Sequence, residues 1–143
     1  MKVKFKKLHE NAVIPKYAKP GDAGMDLVAT SYQYDGFKDN HIYGTGLAVE
    51  IPRGHVGLIF PRSSNRKTYA FMTNSVGVID SGYRGEIMIT YKNRDMIHAA
   101  QPYYVGDRIA QLIIIPYPLI EPIEADELSE TVRGEGGHGS TGN

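Results

Sequence analysis

Apolar and polar residues alternate in short runs along this chain, and the period of an amphipathic helix is almost absent. Residues 3–8 alternate and predict a strand. Residues 48–51 and 55–60 predict two more, divided by Pro52-Arg53-Gly54. Residues 76–80 and 86–92 predict the arms of a hairpin that turns at Ser81-Gly82. Residues 102–105 and 109–116 predict a last pair around Gly106-Asp107. Only residues 65–71 read as a short helix or an irregular segment. Short β-prone runs at close, regular spacing, punctuated by Gly, Pro, Asn and Asp, predict an all-β fold, a jelly-roll-like β-sandwich or barrel. There is no internal repeat.

The chain changes character near its end. Pro116, Pro118 and Pro122 stiffen an extended stretch, residues 121–130 are acidic, and residues 133–143 contain five glycines. A tail with so few apolar side chains cannot bury its own surface. This predicts a β domain over residues 1–130 and a mobile tail over residues 131–143.

Composition narrows the function classes. A length of 143 residues implies one domain, able to bury about two-thirds of its unfolded surface. Sixteen Lys and Arg balance sixteen Asp and Glu. That neutrality argues against non-specific nucleic-acid binding, but leaves room for a small anion held by local cations. There is no cysteine, so disulfides and thiolate chemistry are excluded. The basic start, Met1-Lys2-Val3-Lys4-Phe5-Lys6-Lys7, is followed by no apolar stretch and is not a signal peptide. Residues 109–115, the most apolar segment, are far too short to span a bilayer. A soluble, intracellular protein is expected, with neither membrane nor nucleic acid as a partner.

Five short segments carry candidate chemistry, and each also has a plain structural reading. PRSSNRK, at 61–67, follows an apolar strand, and Arg62 with two hydroxyls suits phosphate oxygens. It also reads as a polar strand end. AGMDLVAT, at 23–30, places Asp26 in an apolar stretch, where a carboxylate needs a partner or a cation. It also reads as a turn aspartate capping backbone N–H groups. RGEGGHGSTG, at 133–142, resembles a phosphate-cradling loop, but it is no Walker sequence and also reads as a loose tail. GDRIAQL, at 106–112, sets Arg108 and Gln111 at the start of an apolar strand. Arg108 has Asp107 or another carboxylate as a partner, and Gln111 must find one. In GVIDSGYRGE, at 77–86, Gly82 has a local reason in the turn, whereas Asp80 and Tyr83 do not. His9, His41, His55 and His98 lack ligand spacing and read as surface residues.

Taken in order, AGMDL, PRSS, GVIDSGYRGE, GDRIAQL and RGEGGHGSTG resemble the five motifs of the trimeric dUTPase family, the dUTP diphosphatases. The resemblance runs from residue 23 to residue 142. It implies a homotrimer with active sites shared between subunits. It also implies Mg²⁺-assisted hydrolysis of dUTP to dUMP and pyrophosphate, with water attacking the α-phosphate in line. Asp80 matches the aspartate that activates this water and contacts the sugar 3′-OH. Tyr83 matches the tyrosine that packs under the deoxyribose. Asn74, Gly77 and the backbone around Val78, Ile79 and Met88 match the uracil-reading hairpin. Arg62, Ser63, Ser64 and Gln111 match phosphate contacts, and Asp26 matches the aspartate that holds the metal's water shell. Arg133, His138, Gly139, Ser140 and Thr141 match the tail that closes over the triphosphate, which makes residues 131–143 an active-site lid. The family usually has Phe or Tyr where this chain has His138. The implied location is the cytoplasm, or the host cytoplasm if the chain is phage-encoded. A dCTP deaminase-type enzyme of the same fold and a nucleotide-bound regulatory protein are the alternatives. Asp80 followed by Tyr83, together with the full tail motif, favours the dUTPase.

Overall fold

The structure is a computed structural model and describes residues 1–95 and 100–137. Ten strands form in chain order: β1 (Lys4–Lys7), β2 (Met25–Val28), β3 (Ser31–Asp35), β4 (Asn40–Gly44), β5 (Leu47–Glu50), β6 (His55–Pro61), β7 (Ala70–Met72), β8 (Gly77–Ile79), β9 (Met88–Asn93) and β10 (Arg108–Pro116). Among the described residues one 3-10 helix forms, Ser63–Lys67, overlapping the start of the segment 65–71 expected to be a short helix or irregular, whose last two residues belong to β7. Among the described residues no helix is long and apolar enough to cross a membrane.

The strands build a jelly-roll-like β-sandwich rather than a closed barrel. One antiparallel sheet has the order β2-β10-β6-β8, the other β3-β4-β9-β7, and β1 pairs with β5 alone. Inward positions alternate as the strand period requires. β9 buries Ile89, Tyr91 and Asn93, and β10 buries Ile109, Ala110 and Leu112. All of these but Asn93 make one apolar core with Leu27, Tyr43, Leu47, Val49, Ile59 and Ile87.

Three tyrosines tie the layers. Tyr91, on β9, donates to the Ile109 carbonyl of β10, in the other sheet, at 2.7 Å. Tyr43 Oη donates to the Tyr103 carbonyl at 2.9 Å, and the Tyr103 N–H donates back to that oxygen at 3.2 Å. Tyr103 Oη donates to Asn65 Oδ1 at 3.0 Å. Burial pushes all three phenols up from their ordinary value, so each stays an O–H donor.

The expected hairpin at 76–92 does not form as such. β8 pairs with β6 and β9 with β4 and β7, so its arms lie in different sheets. Ile87 decides this. Its side chain is fully buried, its N–H donates to Leu47 O, and its carbonyl accepts from Thr45 N and Thr45 Oγ1. That anchor draws β9 away from β8. Residues 102–105 are no strand either, because Pro102 lacks an N–H and the Tyr103 backbone is taken by Tyr43. Their turn does form, with the Asp107 N–H donating to Tyr104 O. The pair β3–β4, whose residues are mostly polar or aromatic, was not legible as strands.

His41 is not a surface residue. It is 4% exposed, with Nδ1 3.0 Å from Tyr32 Oη and Nε2 2.9 Å from Asn93 Nδ2. The alternation of β4 turns it inward with Tyr43. His9 is exposed, His55 is half-buried, and His98 lies outside the described residues. Burial holds the His41 imidazole below its ordinary pKa of 6.5, against the opposing pull of Asp39. The unfolded chain therefore takes its proton first as pH falls. His41's contribution to stability is complete above about pH 6.5 and drains away below it, until the folded imidazole itself titrates. The melting temperature is expected to hold above neutrality and to fall towards about pH 5.5. His41→Gln should be less stable but flatter across that window. Thermal unfolding followed by circular dichroism at several pH values checks this, and parallel profiles for the two proteins would remove His41 as the cause.

Candidate active site

The first half of the site is a cleft of about 310 Å³ where β2, β10 and β6 converge. The register sets Gln111 opposite Asp26 and opposite Phe60, so side chains of three strands share one face. Pro61 ends β6, and the 3-10 turn that follows is closed by Asn65 N donating to Arg62 O and Thr68 N donating to Asn65 O. This turn presents Arg62 and Ser63 to the cleft.

Charge concentrates here although the chain is neutral. Arg62 Nε lies 2.6 Å from Asp26 Oδ1, and Arg62 Nη2 lies 3.4 Å from Asp26 Oδ2. Arg108 Nη1 lies 3.2 Å from the same Oδ2. Arg62 Nη1 donates to Ser64 Oγ at 3.2 Å. Two guanidinium groups meet on Asp26, with Asp22 also lining the cleft, and their fork-shaped donors, partly shielded from water, suit a phosphate. Gln111 Nε2 donates to Pro61 O at 3.1 Å, so the polar residue in the apolar run has its partner.

The second half is a pocket of about 250 Å³ lined by Val78, Ile79, Asp80, Tyr83, Glu86 and Met88. The Tyr83 N–H donates to Asp80 O at 3.1 Å and closes the turn. Tyr83 Oη donates to Glu86 O at 2.9 Å, which folds the ring back over Gly85. A Cβ on Gly85 would sit 2.6 Å from Tyr83 Cζ, so only glycine admits this ring position. Glu86 is turned away, its Oε1 accepting from the Gly46 N–H at 2.7 Å. Asp80 remains exposed at the mouth, beside the exposed apolar side chains of Val78 and Met88. Asn74 packs near buried Gly77, its Nδ2 3.4 Å from where a Cβ on that glycine would stand.

These halves do not meet within one chain. β8 runs antiparallel to β6 with Ile79 opposite Gly57, which sets Asp80 beside Val56. Arg62 is six residues further along the same strand line, or about 20 Å away. Arg62, Ser63, Asp26 and Gln111 are brought together, with Ser64 held against Arg62. Asp80, Tyr83, Val78, Ile79 and Met88 are brought together at the far end. Arg133 lines neither pocket, its Nε donating to Gly136 O at 2.9 Å. His138, Gly139, Ser140 and Thr141 lie outside the described residues.

Arg108 joins the cleft although the sequence left its carboxylate partner open. Asp107 is taken by its own turn, accepting from the Tyr104 N–H, and register supplies Asp26 instead. Gly24, Gly85 and Glu86 shape the site without any signal in the pattern beyond small size or charge. A larger cleft of about 450 Å³ over Lys4, Lys6 and Arg84 contains none of the expected site residues.

Among the described residues no three His, Asp or Glu side chains gather to hold a metal. With both Asp26 oxygens against arginines, a bare divalent cation does not fit. Asp26 is the carboxylate beside the arginines that a metal's water shell would meet.

The chain is a two-sheet β-sandwich with an arginine-lined cleft and, apart from it, an apolar-walled pocket with an exposed carboxylate. The dUTPase family model matches residues 10–142. The deoxyuridine 5′-triphosphate nucleotidohydrolase of Nocardia farcinica is 41% identical over 143 residues, covering 98% of this chain and 85% of that one. That of Crocosphaera subtropica is 39% identical over 145 residues, covering 99% of each chain. Among solved structures, the dUTPase of Staphylococcus bacteriophage 80alpha with dUPNHPP has a TM-score of 0.85 at 29% identity, covering 99% of each. A mutant dUTPase from phage phi11 of S. aureus, whose structure details the coordination of a structural Mg(II) ion, has a TM-score of 0.75 at 26% identity, covering 89% of this chain and 98% of that. The chain belongs to the dUTPase family.

Gly24 tests the packing of the cleft. A Cβ there would stand 2.5 Å from Gln111 Oε1 and 3.2 Å from Gln111 Cβ and Cδ. Gly24→Ala is expected to fold, to lose about 1–3 kcal/mol of stability, and to weaken binding of inorganic triphosphate as Gln111 is pushed aside. Thermal unfolding and calorimetry measure both. An unchanged melting point with unchanged binding would mean that the cleft has slack at this position.

Proposed function

We propose that this protein hydrolyses dUTP to dUMP and pyrophosphate, supplying dUMP for dTMP synthesis and keeping uracil out of DNA. The observation that carries the reading is the split of a dUTPase-family chain into an arginine-lined cleft and a separate pocket with the exposed carboxylate of Asp80 at its mouth. The substrate's two ends have the same two characters.

In this reading the phosphates lie against Arg62, Arg108, Ser63, Ser64 and Gln111. The base enters the pocket at Gly77, Val78, Ile79 and Met88, with Asn74 beside it. Backbone N–H and C=O groups offer one fixed donor and acceptor pattern, which suits uracil. Cytosine reverses that polarity at two edge atoms, and such mismatches discriminate by about 10⁴ or more. Tyr83 lies against C2′ of the sugar. A ribose hydroxyl would find no partner there, at a cost of about 1–3 kcal/mol before any clash.

Asp80 accepts a proton from the attacking water, whose oxygen forms the new bond to the α-phosphorus as the bond to pyrophosphate breaks. No side-chain nucleophile is needed. Asp26 would hold a Mg²⁺ ion through its water shell, and the ion when bound would supply positive charge that offsets the phosphates' repulsion of the attacking oxygen. The arginines act in the same sense and hold the phosphates in line. Residues 131–143 serve as the lid, with Arg133, His138, Gly139, Ser140 and Thr141 closing over the triphosphate. The enzyme works in the cytoplasm, or the host cytoplasm if phage-encoded.

The separation of about 20 Å between Asp80 and Arg62 supports a homotrimer in which each site takes its cleft from one subunit and its pocket from another. A single subunit has no route from its own carboxylate to its own arginines.

Asp80→Asn keeps the shape but cannot accept the proton. Turnover of dUTP should fall by about 10²–10⁴, while a non-hydrolysable analogue still binds. Steady-state assays with calorimetry check this, and a variant within a few-fold of wild type would end the assignment. Arg62→Gln and Asp80→Asn subunits should each be inactive alone. After subunit exchange, about a quarter of the sites regain both intact halves. Assays on mixtures, with exchange verified by native mass spectrometry, test the shared site; exchange without rescue would exclude it.

A further inference from the structure

We propose that Asp26 is the internal counter-ion of Arg62 and Arg108 in the cleft, and that a bound triphosphate takes both arginines from it. This rests on the reading of the cleft as the phosphate site and adds to it a reason for nucleotide and metal to bind together.

The geometry leaves Arg62 little to offer a phosphate while Asp26 holds it. A guanidinium has five N–H donors. Nε and one Nη2 donor face Asp26, and the two Nη1 donors face Ser64 Oγ at 3.2 Å and the Arg108 carbonyl at 3.5 Å. One donor remains. A phosphate gains the Arg62 fork only by replacing the carboxylate, whose oxygens face Nε and Nη2. Arg108 is the easier of the two to recruit, since its side chain is 56% exposed against 23% for Arg62.

The exchange has a second consequence. Once its arginines leave, Asp26 is a carboxylate at 23% exposure beside a polyanion. That arrangement is unfavourable unless a cation stands between them. A Mg²⁺ chelated by the phosphates, with its water shell against Asp26, removes the repulsion. Without that cation the carboxylate competes with the triphosphate for the same two arginines. Asp26 thus opposes binding of the bare triphosphate and supports binding of its magnesium complex. Because coupling is reciprocal, triphosphate in turn raises the affinity for the metal.

The probe is inorganic triphosphate, measured by calorimetry on the full chain in EDTA and in Mg²⁺. Asp26→Asn removes the competing charge with little change in shape. In EDTA it should bind triphosphate about tenfold more tightly than wild type, and its gain from Mg²⁺ should shrink by a similar factor. Equal affinities in EDTA, or an equal gain from Mg²⁺, would overturn the exchange. A readout in the wild type guards against a variant that fails to fold. The Arg62 Nε–H resonance in ¹⁵N NMR should shift when magnesium triphosphate is added, because its acceptor changes from carboxylate to phosphate. A resonance that stays in place while calorimetry reports binding would show that the ion pair persists, and would overturn the proposal alone. If wild type binds triphosphate in neither condition, the phosphate reading of the cleft falls, and this proposal with it.

Discussion

The hydrogen bond from Tyr91 to the Ile109 carbonyl links the two sheets at the point where function begins. Ile109 is buried between Arg108 and Ala110, one residue from the guanidinium that reaches Asp26. Tyr103 reaches Asn65, in the turn that presents Arg62, and is itself locked by Tyr43 on the other sheet. The arginine cleft therefore hangs on phenols that cross the core. Burial raises their pKa values and keeps them as donors, and a carbonyl left without such a donor in this interior would be costly.

This arrangement divides labour along one sheet. Strands β2, β10 and β6 meet at Arg62 and collect charge, while β8 pairs with the middle of β6, runs towards its start, and offers an apolar wall with one exposed carboxylate. Zero net charge overall leaves room for a cleft in which Arg62 and Arg108 gather on Asp26. Under the proposed function, a site completed between subunits would bring Asp80 to a neighbour's arginines, because within one chain the two stand about 20 Å apart along the strand line.

Legibility followed the kind of signal each residue carried. Gly82 and the turn at Gly106-Asp107 were readable because turn chemistry is local. Strands rich in branched apolar residues, such as β6 and β10, were readable from alternation. β3 and β4 were not, because Tyr32, His41 and Tyr43 turn inward and a pattern of tyrosine and histidine does not announce a core. His41 is tolerated inside only because Tyr32 and Asn93 satisfy both ring nitrogens, and Asn93 is 52 residues away. Arg108 had two possible partners in sequence, and only strand register chose between them.

The sequence by itself determined an all-β chain with five ordered motifs, a cationic segment after β6 and a glycine-rich end, because these depend on residue type and short spacing. Tertiary structure alone decided that Asp26 serves two arginines, that the arms around Asp80 belong to different sheets, and that Gly24 and Gly85 are small to make room for Gln111 and Tyr83. The physical reason is that ion pairs, register and steric fit are set by distances between residues far apart in the chain. Those distances exist only once the two sheets have packed.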